Sequence, residues 1–267
     1  MSRKKKVFGI CHICGEQKQL TFEHVPPKSA FNDKRYIQAK LEDLIGLGPD
    51  DIIKGPTHQG GIGEYTLCGK CNNETGAWYG GYFVDWCYQG MEILIKSGGK
   101  PSLIYMNYLY PLPIMKQIVA MFLSVNGDKF GIANPELVRF VLDRERKYLS
   151  PKYRFYVYYN ISGRFRYTGI MGKIEVTAEL LSTSKPMLMS EITFPPFGYL
   201  MTIDSESPDK RLVEISHFAR HDYNEYRVMS IKLPVLPTHT AYAGDYRTKK
   251  EIYEEAERSA IEDSTKE

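Results

Sequence analysis

Two CxxC pairs, Cys11/Cys14 and Cys68/Cys71, hold four of the five cysteines and stand more than fifty residues apart. In an intracellular chain such pairs read as metal ligands rather than disulfides. Four thiolates close a tetrahedral shell around Zn2+ and leave no open position, so the expected ion is structural. The gap is far too long for a compact zinc ribbon. The ion must therefore pin two distant stretches of chain together, CHICGEQKQLTFEH and LCGKCNNETG. The fifth cysteine, Cys87, lies among Phe83, Trp86, Gly90 and Met91 and reads as a buried, inert thiol.

The 267 residues suffice for one large domain or two modest ones, and an apolar fraction of 43% excludes a disordered chain. No apolar run reaches the roughly 18–20 residues that span a bilayer, so no membrane partner is expected. The opening MSRKKKVFGICHICG is basic but has neither the apolar stretch nor the cleavage site of a signal peptide, which makes a cytoplasmic location the expectation. A net charge of +3 gives little long-range attraction to a polyanion, though a local basic groove would suffice. The run Arg3–Lys6 reads first as a solvated terminus.

Hydrophobic periodicity places the elements coarsely as α+β. A strand over residues 18–24 ends at Glu23-His24, where Pro26 and Pro27 stop the ladder. A long connection follows, with a short helix expected over 37–45. A second strand at 64–67 delivers the second CxxC, and a helix is expected over 72–96, with a bend at Gly80-Gly81. Residues 114–125 are apolar nearly all round and predict a buried helix. Asn134 and Pro135 read as N-cap and first position of a helix running to 149. Strands are expected at 152–160, 164–172, 173–180, 190–194, 199–203 and 226–235, with a hairpin turn at NISG, 160–163, and a charged helix at the tail. The stop signal SGGKP divides the chain into residues 1–98 and 99–267.

Between the cysteine pairs sits a lone Glu23-His24 step, and Asn72 directly follows the last cysteine. A neutral imidazole can act as general base on water. A carboxylate and an amide oxygen are hard donors suited to Mg2+ or Mn2+, which would stabilise charge on a scissile phosphate. Strand neighbours point to opposite sides, so Glu23 and His24 can share a site only if the backbone bends.

CHIC, FEHVPPKS and LCGKCNNETG together resemble the HNH, or ββα-metal (His-Me finger), nucleases, in the endonuclease VII-like subset with four zinc cysteines. The resemblance covers about residues 8–90. It implies a zinc-stabilised ββα-metal finger in residues 1–98, followed by a strand-rich α+β region over 99–267 that positions substrate, oligomerises or senses a trigger. It further implies His24 as general base, Glu23 and Asn72 as ligands of one Mg2+ or Mn2+, and cleavage to a 5′-phosphate and a 3′-hydroxyl. Nucleic acid would be the partner, DNA before RNA. A homodimer, or association with other components of anti-phage defence, would be in keeping with such enzymes. This chain departs from the pattern in three places. Glu23 stands where Asp is commoner, the middle Asn has no clear counterpart (His58 being the nearest polar residue), and Asn73 beside Asn72 leaves open which amide faces the ion.

Each residue also has a plainer reading. His24 could be structural, Glu23 could pair with Lys28, Asn72 could merely cap a helix, and Lys28 could be a solvated lysine rather than a phosphate contact. His217, His221 and His239 are scattered and read as structural. The Tyr/Arg alternation of KYRFYVYYNISGRFRY could stack bases, but a half-buried hairpin explains it as well. Two functional classes follow: a metal-dependent endonuclease, or a non-catalytic zinc module that binds nucleic acid or protein.

Overall fold

The computed structural model describes residues 6–40, 42–48, 50–161, 166–173 and 186–264. The architecture is α+β, as expected. Strands β1 (Val7–Ile10) and β2 (Gln17–His24) flank the first CxxC turn and pair antiparallel, Val7 opposite Leu20. The long connection carries a two-rung ladder of β3 (Tyr36–Ile37) and β4 (Thr57–His58). Strand β5 (Gly63–Cys68) then joins β2 in a three-stranded sheet of order β1-β2-β5 and runs directly into α1 (Gly69–Thr75). A π-helical turn over Gly76–Gly80 continues into α2 (Gly81–Lys96).

Two expectations are corrected in this region. The helix anticipated from 72 begins at Gly69, and a π turn over Gly76–Gly80 stands where a simple bend was expected. No helix forms over 37–45 among the described residues; Ile37 and Ile45 are 53% and 61% exposed. With no apolar face to bury, so short a segment cannot repay helix nucleation.

After α2 come β6 (Tyr105–Leu109), α3 (Pro111–Val125), α4 (Asp128–Ala133) and α5 (Pro135–Leu142). There follow β7 (Tyr153–Tyr159), β8 (Arg166–Lys173), β9 (Met187–Phe194), β10 (Phe197–Ile203), β11 (Val213–Glu214), β12 (Arg227–Ile231) and α6 (Lys249–Ser264). Five of them form an antiparallel sheet of order β11-β7-β10-β9-β8, while β12 pairs with β6. Residues 174–180 of the expected strand at 173–180 and the end of the NISG turn fall outside the described residues, as do Arg3 to Lys5 of the basic run.

Helix α3 is the centre of the molecule. Every residue from Pro111 to Ser124 is buried, which is why its sequence is apolar on all sides. Its one cation, Lys116, is fully buried and donates to the carbonyls of Phe140 and Asp143 at the end of α5. That helix stops at Leu142, short of the expected 149, because its continuation DRERK offers nothing to bury and Asp143 accepts the N–H of Glu145 in a turn. Asn134 precedes α5 but does not cap it; its side chain instead bonds the Phe130 carbonyl and accepts from the Tyr153 hydroxyl.

Strand β7 is buried on both faces, unlike the half-buried hairpin its sequence suggests. Phe155 and Val157 join the main core, and Tyr156 and Tyr158 join a second cluster with Leu200 and Tyr246. The main core draws on both sides of residue 98, from Cys11, Leu67 and Trp86 to Ile118, Phe155 and Tyr199. No helix of the described residues is long and apolar enough to cross a membrane.

Candidate metal centre and active site

The four paired cysteines come together at the end of the β1-β2-β5 sheet. Their sulfurs all lie within 4.8 Å of one another. A tetrahedron with Zn–S bonds of about 2.3 Å has edges of about 3.8 Å, so the cluster fits a metal such as zinc. The first knuckle is a tight turn: Gly15, at φ 73°, donates to the Cys11 carbonyl, and Cys11 N–H reaches Glu16. The Cys68 N–H donates to Cys11 Sγ at 3.3 Å, a bond that favours a thiolate there. A hydrogen bond from Cys71 pulls the Cys11 thiol down to about 4, and the same contact pushes Cys71 far up. A cation held among the four sulfurs would favour the thiolate at every one of them. Cys87 is elsewhere in the core, and burial pushes its thiol up.

The knuckle is fixed to α3. His12 N–H donates to the Thr66 carbonyl, His12 Nδ1–H to the Ser124 carbonyl at 2.6 Å, and the Thr66 and Ser124 hydroxyls bond at 2.6 Å. The strand carrying His24 and the helix carrying Asn72 therefore share one hydrogen-bonded base.

Above that base opens a cleft of about 490 Å3 whose walls include Glu23, His24, Lys28 and Asn72. Glu23 and His24 are consecutive on β2, yet both line it. They are the last two residues of the strand, which leaves its ladder at His24, two residues after a register shift against β5 between Thr21 and Phe22. Gly63, opposite His24, is needed for this approach, since a Cβ there would lie 2.0 Å from the Glu23 carbonyl oxygen.

His24 is held by a loop the sequence did not mark. Its Nε2 lies 3.1 Å from the carbonyl of Gly60. A carbonyl can only accept, so Nε2 carries the proton and Nδ1 is left as the basic nitrogen. Gly61, at φ 110°, packs so closely that a Cβ would meet the Asn32 carbonyl at 2.1 Å and the His24 ring at 2.9 Å. Asn32 is fully buried and ties this loop to the turn after His24, donating to the carbonyls of Pro26 and Ile62 and accepting the Ile62 N–H. The Phe22 ring packs nearly perpendicular to the imidazole, with centroids 5.0 Å apart.

Asn72 lies inside α1 and is not its cap; that position belongs to Cys68. Its Nδ2 donates to Thr21 Oγ1 at 3.0 Å, and Thr21 in turn donates to the Leu67 carbonyl. Burial pushes the Glu23 carboxyl up to about 7, opposed by a hydrogen bond from Asn72. A cation beside Glu23 would reverse that shift. Asn72 lines the cleft, whereas Asn73 is exposed outside it.

Lys28 stands at the mouth of the cleft, and among the described residues no ion pair joins it to Glu23. His58 does not belong here: it is exposed on the β3–β4 ladder opposite Tyr36. His217 packs edge-on to Phe218, and His221 pairs with Glu225, both away from the cleft. Residues that sequence reasoning missed are Asn32, Gly60, Asp85 and Gln117, of which the last two also line the cleft. Asn32 in VPPKSAFN carried a faint signal, an Asn after a proline turn, but nothing to show what it would reach. No protein-family model, no curated protein and no solved structure matches this chain.

Proposed function

We propose that the protein is a metal-dependent endonuclease of the HNH, ββα-metal type, hydrolysing phosphodiester bonds in nucleic acid, with DNA favoured over RNA. The observation that carries this reading is the meeting of Glu23, His24, Lys28 and Asn72 on one cleft above the four-cysteine cluster.

Each residue has a distinct task. His24, its Nε2 committed to Gly60, takes a proton from water on Nδ1 as the water oxygen attacks phosphorus. The bond from phosphorus to the 3′ oxygen breaks, leaving a 5′-phosphate and a 3′-hydroxyl that gains a proton from solvent. Lys28 offers a positive charge to the phosphate as it enters. Glu23 and Asn72 are adjacent hard donors that suit Mg2+ or Mn2+, an ion that binds through few protein ligands and keeps several waters. When bound, that ion would stabilise negative charge on the phosphate and on the leaving oxygen. The four-cysteine zinc takes no part in the reaction; it sets the distance between β2 and α1.

The test is incubation of supercoiled plasmid and of an RNA of similar length with Mg2+ or Mn2+. Wild-type protein is expected to cut, and His24→Ala, with its zinc retained, to cut about 10^2–10^4-fold more slowly. Intact substrates with folded, zinc-loaded wild type, or equal cutting by the variant, would leave a non-catalytic zinc module as the function.

A further inference from the structure

One wall of the cleft is built against the interests of the fold. Gly76, Gly80 and Gly81 line it from the π turn and the start of α2. All three adopt ordinary right-handed helical angles, with φ of −61°, −59° and −60°. A Cβ added to any of them would meet nothing within 4 Å. Neither backbone conformation nor packing demands glycine at these positions, and glycine weakens a helix relative to alanine. Beside them Gln117 reaches the cleft from α3. It is 3% exposed, and its Oε1 is buried with no hydrogen-bond partner among the described residues. A buried amide oxygen left unpaired is destabilising. Two separate costs thus fall on one surface, and both vanish from the account if something planar and polar-edged occupies it.

We propose that this wall, with Phe22, is a subsite for one unpaired nucleobase beside the scissile phosphate, so that the substrate is single-stranded or locally unpaired nucleic acid. The inference rests on the hydrolase reading and specifies its substrate. A helical surface without side chains lets a flat ring approach the backbone. Phe22, 38% exposed and on the same cleft, supplies an aromatic face for stacking. Gln117 can turn its amide to offer a donor or an acceptor to the base edge. The volume of about 490 Å3 lies within the range of about 300–1,000 Å3 usual for small-ligand pockets. A base inside a duplex has its edge committed to its partner and cannot enter; an unpaired or extruded one can. A phosphate backbone lying on the glycines would explain their openness but would leave the Gln117 amide without a role.

The experiment compares Mn2+-loaded wild type on four substrates: a duplex with one unpaired nucleotide, the same duplex with that nucleotide abasic, the perfect duplex, and the base-free ester bis(p-nitrophenyl) phosphate. The expected result is at least about tenfold higher kcat/KM on the unpaired site than on the abasic or perfect duplex. Gln117→Leu and Gly80→Ala should each bring that ratio towards one through KM while melting at the same or a higher temperature. Equal rates on unpaired and abasic sites overturn the subsite, as do variants that melt lower yet keep the preference. If wild type splits the base-free ester with no base dependence, the subsite falls and the hydrolase stands. If it splits none of the four, both fall.

Discussion

The side-chain amide of Asn32 grips Ile62 at both ends, donating to its carbonyl and accepting its N–H, each at 2.7 Å. Its second N–H reaches the Pro26 carbonyl at 2.8 Å. One buried amide therefore joins the turn that follows His24 to the loop whose Gly60 carbonyl orients the imidazole. Asn32→Ala would leave the Ile62 N–H and the Pro26 carbonyl unpaired and the Ile62 carbonyl with the Val25 N–H alone, a cost of roughly 2–4 kcal/mol in stability. The loss should be visible in urea unfolding. Plasmid cleavage per folded molecule should fall too, because the Gly60 loop would no longer be fixed, while zinc content stays at one ion per chain. If cleavage per folded molecule is unchanged, the clasp serves the fold and not the histidine.

The metal centre predicts a pH dependence of its own. All four sulfurs must be thiolates to hold Zn2+. Burial pushes Cys14 up, and contact with Cys11 pushes Cys71 up, so protons compete with the ion at these two positions. Zinc affinity should fall as pH is lowered, followed by chelator competition with a chromogenic ligand. Cys71→Ser should lose the ion and, with it, the alignment of β2 against α1, because Cys11 and Cys71 lie in the core that both halves share. A variant that keeps full cleavage after zinc loss would show that the sheet alone sets the cleft.

Much of this was legible in the residues. Cys11, Cys14, Cys68 and Cys71 announce a cluster through spacing, and the clamp they make implies that Glu23-His24 and Asn72 end up near one another. Apolar residues on every side of 114–125 announce α3. What the sequence hid depends on long-range partners. Asn32 looks like any loop asparagine until Ile62 is beside it. Gln117 in a uniformly apolar helix reads as an anomaly without a location. Over 37–45, a helix-like pattern fails because no surface is there to receive it. In β7, two cores on opposite faces override the alternation that local pattern would suggest.

Lys116 offers a second pH test, remote from the cysteines. Burial pushes its ammonium down to about 7, against the pull of Asp143. Unfolded, it titrates near the ordinary lysine value of about 10.4. Between those values the unfolded chain holds a proton that the folded chain lacks, so its contribution raises stability as pH rises from about 7 to about 10. Below about 7 both states are charged and the dependence vanishes. The full swing is on the order of a few kcal/mol. The comparison is urea unfolding of wild type and Lys116→Met at several pH values. The difference between them should grow in favour of wild type with rising pH and stay flat below about 7. A constant difference over the whole range would mean that the folded protein keeps the ammonium charged.

The second core contains a buried ion pair, Arg166 to Glu191, at 2.5 Å with side-chain exposures of 8% and 0%. Glu191 also accepts from the Tyr158 and Tyr246 hydroxyls at 2.8 and 2.6 Å, and Arg166 donates to the Thr240 carbonyl. The pair joins β8 to β9 and to the chain before α6. Removing one partner should cost far more than the pair itself contributes. Arg166→Met leaves a carboxylate in the core with only two hydroxyl donors, a loss of roughly 3–5 kcal/mol; Glu191→Gln strands the guanidinium at a similar cost. Arg166→Met with Glu191→Gln leaves no charge at all, and the amide oxygen can still accept from the tyrosines. The double variant should therefore be no worse than either single one, giving a coupling energy of roughly 2 kcal/mol or more in a double-mutant cycle read by urea unfolding. Losses that simply add would mean that the two groups do not depend on each other, and that the tyrosine hydroxyls rather than the ion pair hold this part of the sheet.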